Sequence, residues 1–347
     1  MVEIRIGTNE QGQRLDRFLR KYLQGAPLSL IYRMVRKDVK VNGKREKNVY
    51  MLEDGDVVTL YLDQNHLDEL RGAGSRGVDH SGRNGQDRTG RKPRRTFRIA
   101  YEDDEVLIAD KPAGLLTHGD KTEKSKHLAN QVQDYLIEKG EYDPRNEKTF
   151  APAPVNRIDR NTSGLVIFAK NYDTLKRFNE LVRERKKIRK FYLTVVCGRI
   201  PGEMTLSGMI SKDEARNVSG MTGEEDANSK TAVTHVRPLR NGVIEELGNR
   251  EFTLAEVEIE TGRTHQIRVQ LADAGYPLAG DPKYGDPLVN KKLKDTFGLT
   301  HQLLTAAKLE FGDMNDDHPA LSGKTVEAEI PKVFRKVRNS IVPGDNM

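Results

Sequence analysis

The chain has 347 residues, of which 36% are hydrophobic and 32% charged, with a formal net charge of +6. At roughly 150 residues per domain this allows two domains with packed cores, and it excludes a disulfide-stapled mini-protein, a collagen-like repeat and a wholly disordered chain. No apolar run approaches the ~20 residues that span a bilayer, and the start MVEIRIGTNE has no signal-peptide core. The single Cys197, within the strand-like FYLTVVCG, suits a reducing compartment. A cytoplasmic protein without membrane association is expected. The eight histidines are scattered without a Cys/His cluster, so no metal site is expected.

Residues 1–63 read as one small domain. Leu15, Phe18, Leu19, Tyr22 and Leu23 recur at helical spacing. A second helix over Ser29–Lys37 turns Ile31, Met34 and Val35 inward and Arg33, Arg36 and Lys37 outward. Val39–Val41, the Asn42-Gly43 turn and Val57–Leu62 then form a small β element. In this order RLDRFLRKYL, LIYRMVRKDVKVNGK and EDGDVVTLYL resemble the ribosomal protein S4-like RNA-binding domain. The outward Arg33, Arg36 and Lys37 are suited to holding the phosphate backbone.

Residues 64–96 hold six glycines and eight basic side chains, a composition that cannot bury enough surface to fold and predicts a flexible basic linker. Within it, Gly72-Ala73-Gly74-Ser75-Arg76-Gly77 satisfies the GxGxxG pattern, but no strand precedes it and Gly82 and Gly85 occupy the place of a helix start. Gly323-Lys324-Thr325 ends like a phosphate loop, yet His318 stands where its first glycine belongs. No nucleotide cofactor is expected. Residues 71–95 carry a net +6, residues 30–50 a net +5 and residues 176–190 a net +6. Three separated basic patches suit a long polyanion, although charge alone also fits solvated faces.

From residue 97 to about 340 strand-like runs outnumber helical ones: Val106–Ala109, Leu165–Ala169, Phe191–Val196, Thr231–Val236 and Phe252–Ile259 against Asn130–Ile137, Thr174–Arg185 and Thr264–Ala274. The irregular alternation predicts an α+β domain with a mostly antiparallel or mixed sheet flanked by helices. Within it, Pro154–Gly164 places Asp159 between Arg157 and Arg160, two cations that favour its carboxylate form, in a turn entering an apolar strand. By itself such an aspartate is more often an Asx-turn or surface ion-pair residue. In TGRTHQIRVQL, Thr264 is the expected N-cap and Gly275 the stop of a helix of about three turns. Arg268 falls at the margin of its apolar face and needs an acidic partner. Asp159 is one candidate among 52 acids.

Five segments in order resemble the RluA/RluC/RluD-type pseudouridine synthases: YEDDEVLIADKPAGLLTHG, NRIDRNTSGLVIFAKN, KKIRKFYLTVVCG, TGRTHQIRVQLADAGYPLAGDPKYG and LLTAAKLEF. The resemblance implies that a uridine of RNA is isomerised, without metal or cofactor, by breaking its N1–C1′ bond and rejoining the ring through C5. Asp159 is then the catalytic carboxylate, as nucleophile at C1′ or base at C2′, with Arg268 as its ion-pair partner. Tyr192 matches the tyrosine that packs on the uracil and assists removal of the C5 proton. Arg157 matches the arginine that fills the space left by the extruded nucleotide. Arg160, Arg263, His265 and Gln266 lie in the same motifs and are expected on the RNA-binding side. Lys186 and Lys190, with Lys187 and Arg189, are expected to hold the phosphate backbone. Asn156, Ile158, Gln270 and Thr305 depart from the family pattern of His, Leu, His and His. With an S4-like unit in front, the layout is that of the subgroup acting on large-subunit (23S) ribosomal RNA. The alternatives are a synthase acting on tRNA and a non-catalytic RNA-binding or ribosome-assembly protein. A monomer is expected.

Overall fold

The computed structural model describes residues 1–71, 95–120, 123–144, 147, 149–213, 218–222 and 229–341. The first sixty residues fold where apolar spacing dictates. Strand β1 (Val2–Arg5) is followed by helices α1 (Leu15–Tyr22) and α2 (Leu28–Lys37) and strands β2 (Val39–Val41) and β3 (Val57–Leu60). The strands form an antiparallel sheet in the order β1-β3-β2. Phe18 and Leu19 from α1, Ile31 and Met34 from α2, and Val58 and Leu60 from β3 close one core beneath it. Asn42 and Gly43 both take positive φ, as a tight turn after β2 requires.

That core does not stop at residue 63. Residues expected to open the linker instead form α3 (Gln64–Leu70), whose N-terminus is capped by Asp63 accepting from the His66 N–H at 2.8 Å. Leu67 and Leu70 are buried against the same core. The rest of the expected linker through residue 94, including the GxGxxG pattern, lies outside the described residues.

The larger unit runs β4 (Arg98–Glu102), β5 (Val106–Lys111), α4 (Leu128–Lys139), β6 (Ala153–Pro154), β7 (Ser163–Ala169), α5 (Tyr172–Glu184) and β8 (Ile188–Cys197). It continues with β9 (Met204–Asp213), β10 (Val218–Thr222), β11 (Lys230–Ile244), β12 (Arg250–Ile259), α6 (Gln266–Asp273), α7 (Pro287–Phe297), β13 (Leu304–Phe311), β14 (Thr325–Glu327) and α8 (Lys332–Asn339). Its 11-stranded mixed sheet has the order β10-β9-β11-β12-β8-β13-β7-β5-β4, with β14 on β13 and β6 on β7. The described pairings are antiparallel except β13 with β7, where Gly164 (φ 108°) meets Ala306. A Cβ at Gly164 would lie 2.1 Å from the Ala306 carbonyl oxygen, so only glycine permits this close approach.

Helices cover both faces. Helices α4 and α6 bury Leu128, Val132, Ile267 and Leu271 against the face that carries Tyr192 and Val257. Residues Phe178 of α5, and Val289, Leu293, Phe334 and Val337 of α7 and α8, pack into two further cores. The first unit meets the second through polar contacts: the Tyr172 N–H donates to Asn9 Oδ1 at 3.1 Å, and Gln11 Nε2 donates to Asp173 at 3.3 Å. Among the described residues no helix is long and apolar enough to cross a membrane.

Candidate active site

Asp159 sits on the loop between β6 and β7, and this loop is fixed by its backbone. Lys111, at the end of β5, has no exposed surface and donates from Nζ to the carbonyls of Leu115 (2.7 Å), Pro112 (3.0 Å) and Arg160 (3.0 Å). Burial pushes this ammonium down to about 7 against the raising influence of Asp159 and Asp110. Three carbonyl acceptors nevertheless match three ammonium protons. The Gly114 N–H also donates to the Arg160 carbonyl at 2.9 Å, and Thr117 Oγ1 donates to the Ile158 carbonyl at 3.1 Å. Both flanks of Asp159 are thereby held while its own side chain stays 28% exposed at the cleft.

Arg268 rises from α6 to meet it. Nη1 donates to Asp159 Oδ2 at 3.0 Å, while Nε and Nη2 donate to the two oxygens of Asp281 at 2.7 and 2.9 Å. Asp281 is completely buried and also accepts from the Lys283 and Tyr284 N–H groups. Burial alone would raise the Asp281 carboxyl and lower the Arg268 guanidinium. Their mutual hydrogen bonds and charges outweigh it, so the acid lies below and the base above its ordinary value. The guanidinium is thus clamped on one side and presented to Asp159 on the other. Asp281 went unnoticed in the sequence although its Gly-Asp-Pro turn lies in the long motif after α6. The available signal was that a buried fork of five N–H donors requires more acceptors than one carboxylate supplies.

The cleft encloses about 430 Å³ including its open mouth and is lined by Arg157, Asp159, Tyr192, Ile259, Arg263, His265, Arg268 and Leu304, among others. Burial, and then the Asp159 charge, push the Tyr192 phenol upward. His265 Nδ1 lies 2.9 Å from the Tyr284 hydroxyl and Nε2 lies 3.9 Å from Asp159 Oδ2. Burial outweighs the Asp159 charge and lowers His265 to about 4. A larger surface groove, lined by Arg189, Phe191, His235, Glu256 and Glu258, shares no residue with this cleft. Alternation along β8 puts Arg189 and Phe191 on the sheet face opposite Tyr192, so the cleft rather than the groove holds the candidate chemistry.

Residues 105–273 match the family model described as RNA pseudouridylate synthase. The chain is 30% identical over 350 residues to ribosomal large subunit pseudouridine synthase C of Vibrio cholerae, with 97% of each chain covered. It is 32% identical over 336 residues to the uncharacterized RNA pseudouridine synthase YlyB of Bacillus subtilis, covering 95% of this chain and 94% of that one. The chain belongs to the RNA pseudouridylate synthase family. The solved structure of human RNA pseudouridylate synthase domain containing 4 shares the fold, with a TM-score of 0.52 and 21% identity over 71% of this chain and 94% of that chain.

As a pseudouridine synthase the protein isomerises uridine in RNA, and the structure sorts the residues expected to serve that reaction. Asp159, Arg268, Tyr192, Arg157, Arg263 and His265 converge on the cleft. Arg157 and Arg160 are exposed, and Arg160 lies 3.9 Å from Asp120. The ion pair of Asp159 is made with Arg268, not with these sequence neighbours. Gln266, expected to touch RNA, lines the cleft but is spent internally. Its amide nitrogen donates to the Val233 carbonyl and Thr234 Oγ1, and its oxygen accepts from Thr261 Oγ1 and the Arg263 N–H.

The expected basic strip before and along β8 is also corrected. Lys190 is buried, Lys187 pairs with Asp317 at 2.6 Å and the exposed Arg189 pairs with Glu258 and Glu310, which leaves Lys186 as the exposed member without a carboxylate partner among the described residues. Arg33, Arg36 and Lys37 are exposed on α2. Helix α6 begins at Gln266 after His265 in the left-handed region, so Thr264 is not its N-cap and the helix has about two turns. Of the family departures, Asn156 accepts from the Ile167 N–H at 2.8 Å and the Thr305 hydroxyl bonds that of Ser163 at 2.9 Å. Gln270 accepts from Thr234 Oγ1 and donates to the Leu206 and Ala232 carbonyls.

Proposed function

We propose that this pseudouridine synthase modifies uridines of large-subunit (23S) ribosomal RNA with Asp159 as its catalytic carboxylate. The observation that carries this is the one-sided clamp: Arg268 engages Asp159 through Oδ2, and among the described residues Oδ1 has no hydrogen-bond partner. A carboxylate held in this way can attack C1′ or take a proton from C2′, and either role needs the anion that Arg268 stabilises. The N1–C1′ bond breaks, the uracil turns, C5 bonds to C1′, and the C5 proton is replaced while N1 gains one. No electrons leave and no group is donated, so neither metal nor nucleotide cofactor is required, and one chain supplies every named group.

Tyr192 packs on the uracil in this scheme. Its raised phenol works against a phenolate that would remove the C5 proton, which favours the ring's packing role. Arg157 fills the space left when the nucleotide is extruded, a step needed because C1′ is out of reach within a stack. Residues 1–70 act as an S4-like RNA-binding unit, supported by the exposed Arg33, Arg36 and Lys37 of α2, and the enzyme works as a cytoplasmic monomer. The ribosomal target is supported by the Vibrio cholerae relative, a ribosomal large subunit pseudouridine synthase. Asp159→Asn is expected to abolish pseudouridine formation in ribosomal RNA while RNA binding in a filter assay survives. Pseudouridine mapping of ribosomal RNA and tRNA with and without the gene tests the substrate, and sites lost only from tRNA would refute the ribosomal assignment.

A further inference from the structure

His265 occupies a backbone conformation that L side chains avoid, with φ 55° and ψ 21° at the start of α6. Such an outlier is strained and persists where the surroundings over-determine it. What holds it here is a chain of hydrogen bonds from the sheet edge. The Ser219 N–H of β10 donates to the Tyr284 hydroxyl oxygen at 2.9 Å, and that hydroxyl lies 2.9 Å from His265 Nδ1. A backbone N–H can only donate, so the phenol oxygen is an acceptor toward Ser219. Among the described residues its single proton has one other partner within reach, the imidazole nitrogen. Donation of that proton makes Nδ1 the acceptor and, in the neutral ring, places the imidazole proton on Nε2. Nε2 faces the Asp159 carboxylate, 3.9 Å from Oδ2, at the cleft.

We propose that His265 is a positioning residue whose Nε2–H tautomer, fixed through Tyr284 by the edge strand β10, keeps the Asp159 carboxylate in its reactive orientation. The 3.9 Å separation is too long for a hydrogen bond, so the donor acts as an oriented dipole beside the anion and closes on it when substrate excludes water. Burial keeps the ring neutral, as the tautomer argument needs. The arrangement also couples the cleft to the sheet edge. β10 ends the sheet order, and its Ser219 N–H is used by Tyr284 rather than by a neighbouring strand. The inference rests on Asp159 as the catalytic carboxylate.

Three measurements on the full-length chain test it. In ¹⁵N correlation spectra near neutral pH, His265 is expected as a single neutral Nε2–H tautomer, shifting toward a mixture in Tyr284→Phe. A protonated ring, an Nδ1–H ring or a mixture in the wild type overturns the proposal even if no variant folds. In single-turnover kinetics Tyr284→Phe and His265→Asn should slow the chemical step about tenfold or more, as misorientation of a reacting group does, with KM little changed. His265→Gln should recover most of that loss, because its amide nitrogen reaches about as far as Nε2. Asn tolerates the left-handed backbone better than Gln, so a merely structural cap predicts the opposite order, and that order would refute the positioning role. Asp159→Asn separates the two readings: if it retains activity the assignment of the site fails, whereas if it is inactive and the histidine arms fail, only this inference falls.

Discussion

Arg268 and the arginines of α2 use the same guanidinium in opposite ways. Arg268 is 4% exposed and bonded to two carboxylates. Arg33 and Arg36 are exposed and pair with no carboxylate among the described residues, Arg36 donating only to its own helix at the Tyr32 carbonyl. A buried cation is held in one geometry because losing a partner strands a charge in a poor solvent for it. An exposed cation pays little for being unpaired and remains available to a phosphate. On the proposed reading precision belongs to the first region and RNA affinity to the second, and each should fail in its own way.

The largest effect is expected at the clamp. Arg268→Met leaves the fully buried Asp281 without its cation and should cost about 3–5 kcal/mol of stability in denaturant unfolding, together with all activity. Adding Asp281→Asn should restore part of the stability and none of the activity. A single substitution with unchanged unfolding would erase the distinction between the two regions. Lys111→Met comes next. It strips three buried carbonyls of their donor and should cost at least about 2 kcal/mol, with activity falling because the Arg160 carbonyl next to Asp159 is released. Full activity in a folded Lys111→Met enzyme would show that the loop needs no such anchor.

The surface region predicts the reverse pattern. Replacing Arg33, Arg36 and Lys37 together by Ala should change stability by no more than about 0.5 kcal/mol per site. It should weaken RNA binding and flatten its salt dependence; an unaltered salt slope would remove these residues from the RNA contact. The smallest effect concerns pH. His265 has its folded-state value lowered to about 4 from 6.5, so between those values the unfolded chain binds the proton and the folded one does not. Stability should therefore fall as pH drops from about 6.5 to about 4 and then level off in this respect. His118 and His127, also lowered by burial, act in the same direction. The difference between wild type and His265→Gln isolates the part owed to His265, and parallel curves would contradict it.

Helices α1 and α2 were legible because amphipathic spacing is a local property, written in Leu15, Phe18 and Leu19 and in Ile31, Met34 and Val35. Helix α3 was not, since QNHLDEL carries only two apolar residues before a glycine-rich stretch, and its helix is stabilised by burial of Leu67 and Leu70 against a core made elsewhere. The strip before and along β8 misled for a related reason. Sequence counts charges but not their partners, and Asp317, Glu258 and Glu310 reach it from distant segments.

Motif order in the sequence by itself determined the family, and it put Asp159, Tyr192 and Arg268 forward as the residues to watch. Tertiary structure alone decided that Arg268 answers to two carboxylates, that Lys111 anchors the Asp159 loop, that Gln266 is spent on its own scaffold, and that His265 is tied to the sheet edge through Tyr284. The reason is physical. Chemical identity is carried by a residue and its neighbours in the chain, whereas burial and the partner that makes burial tolerable arise only when segments as far apart as residues 111, 159, 268 and 281 share one low-dielectric space.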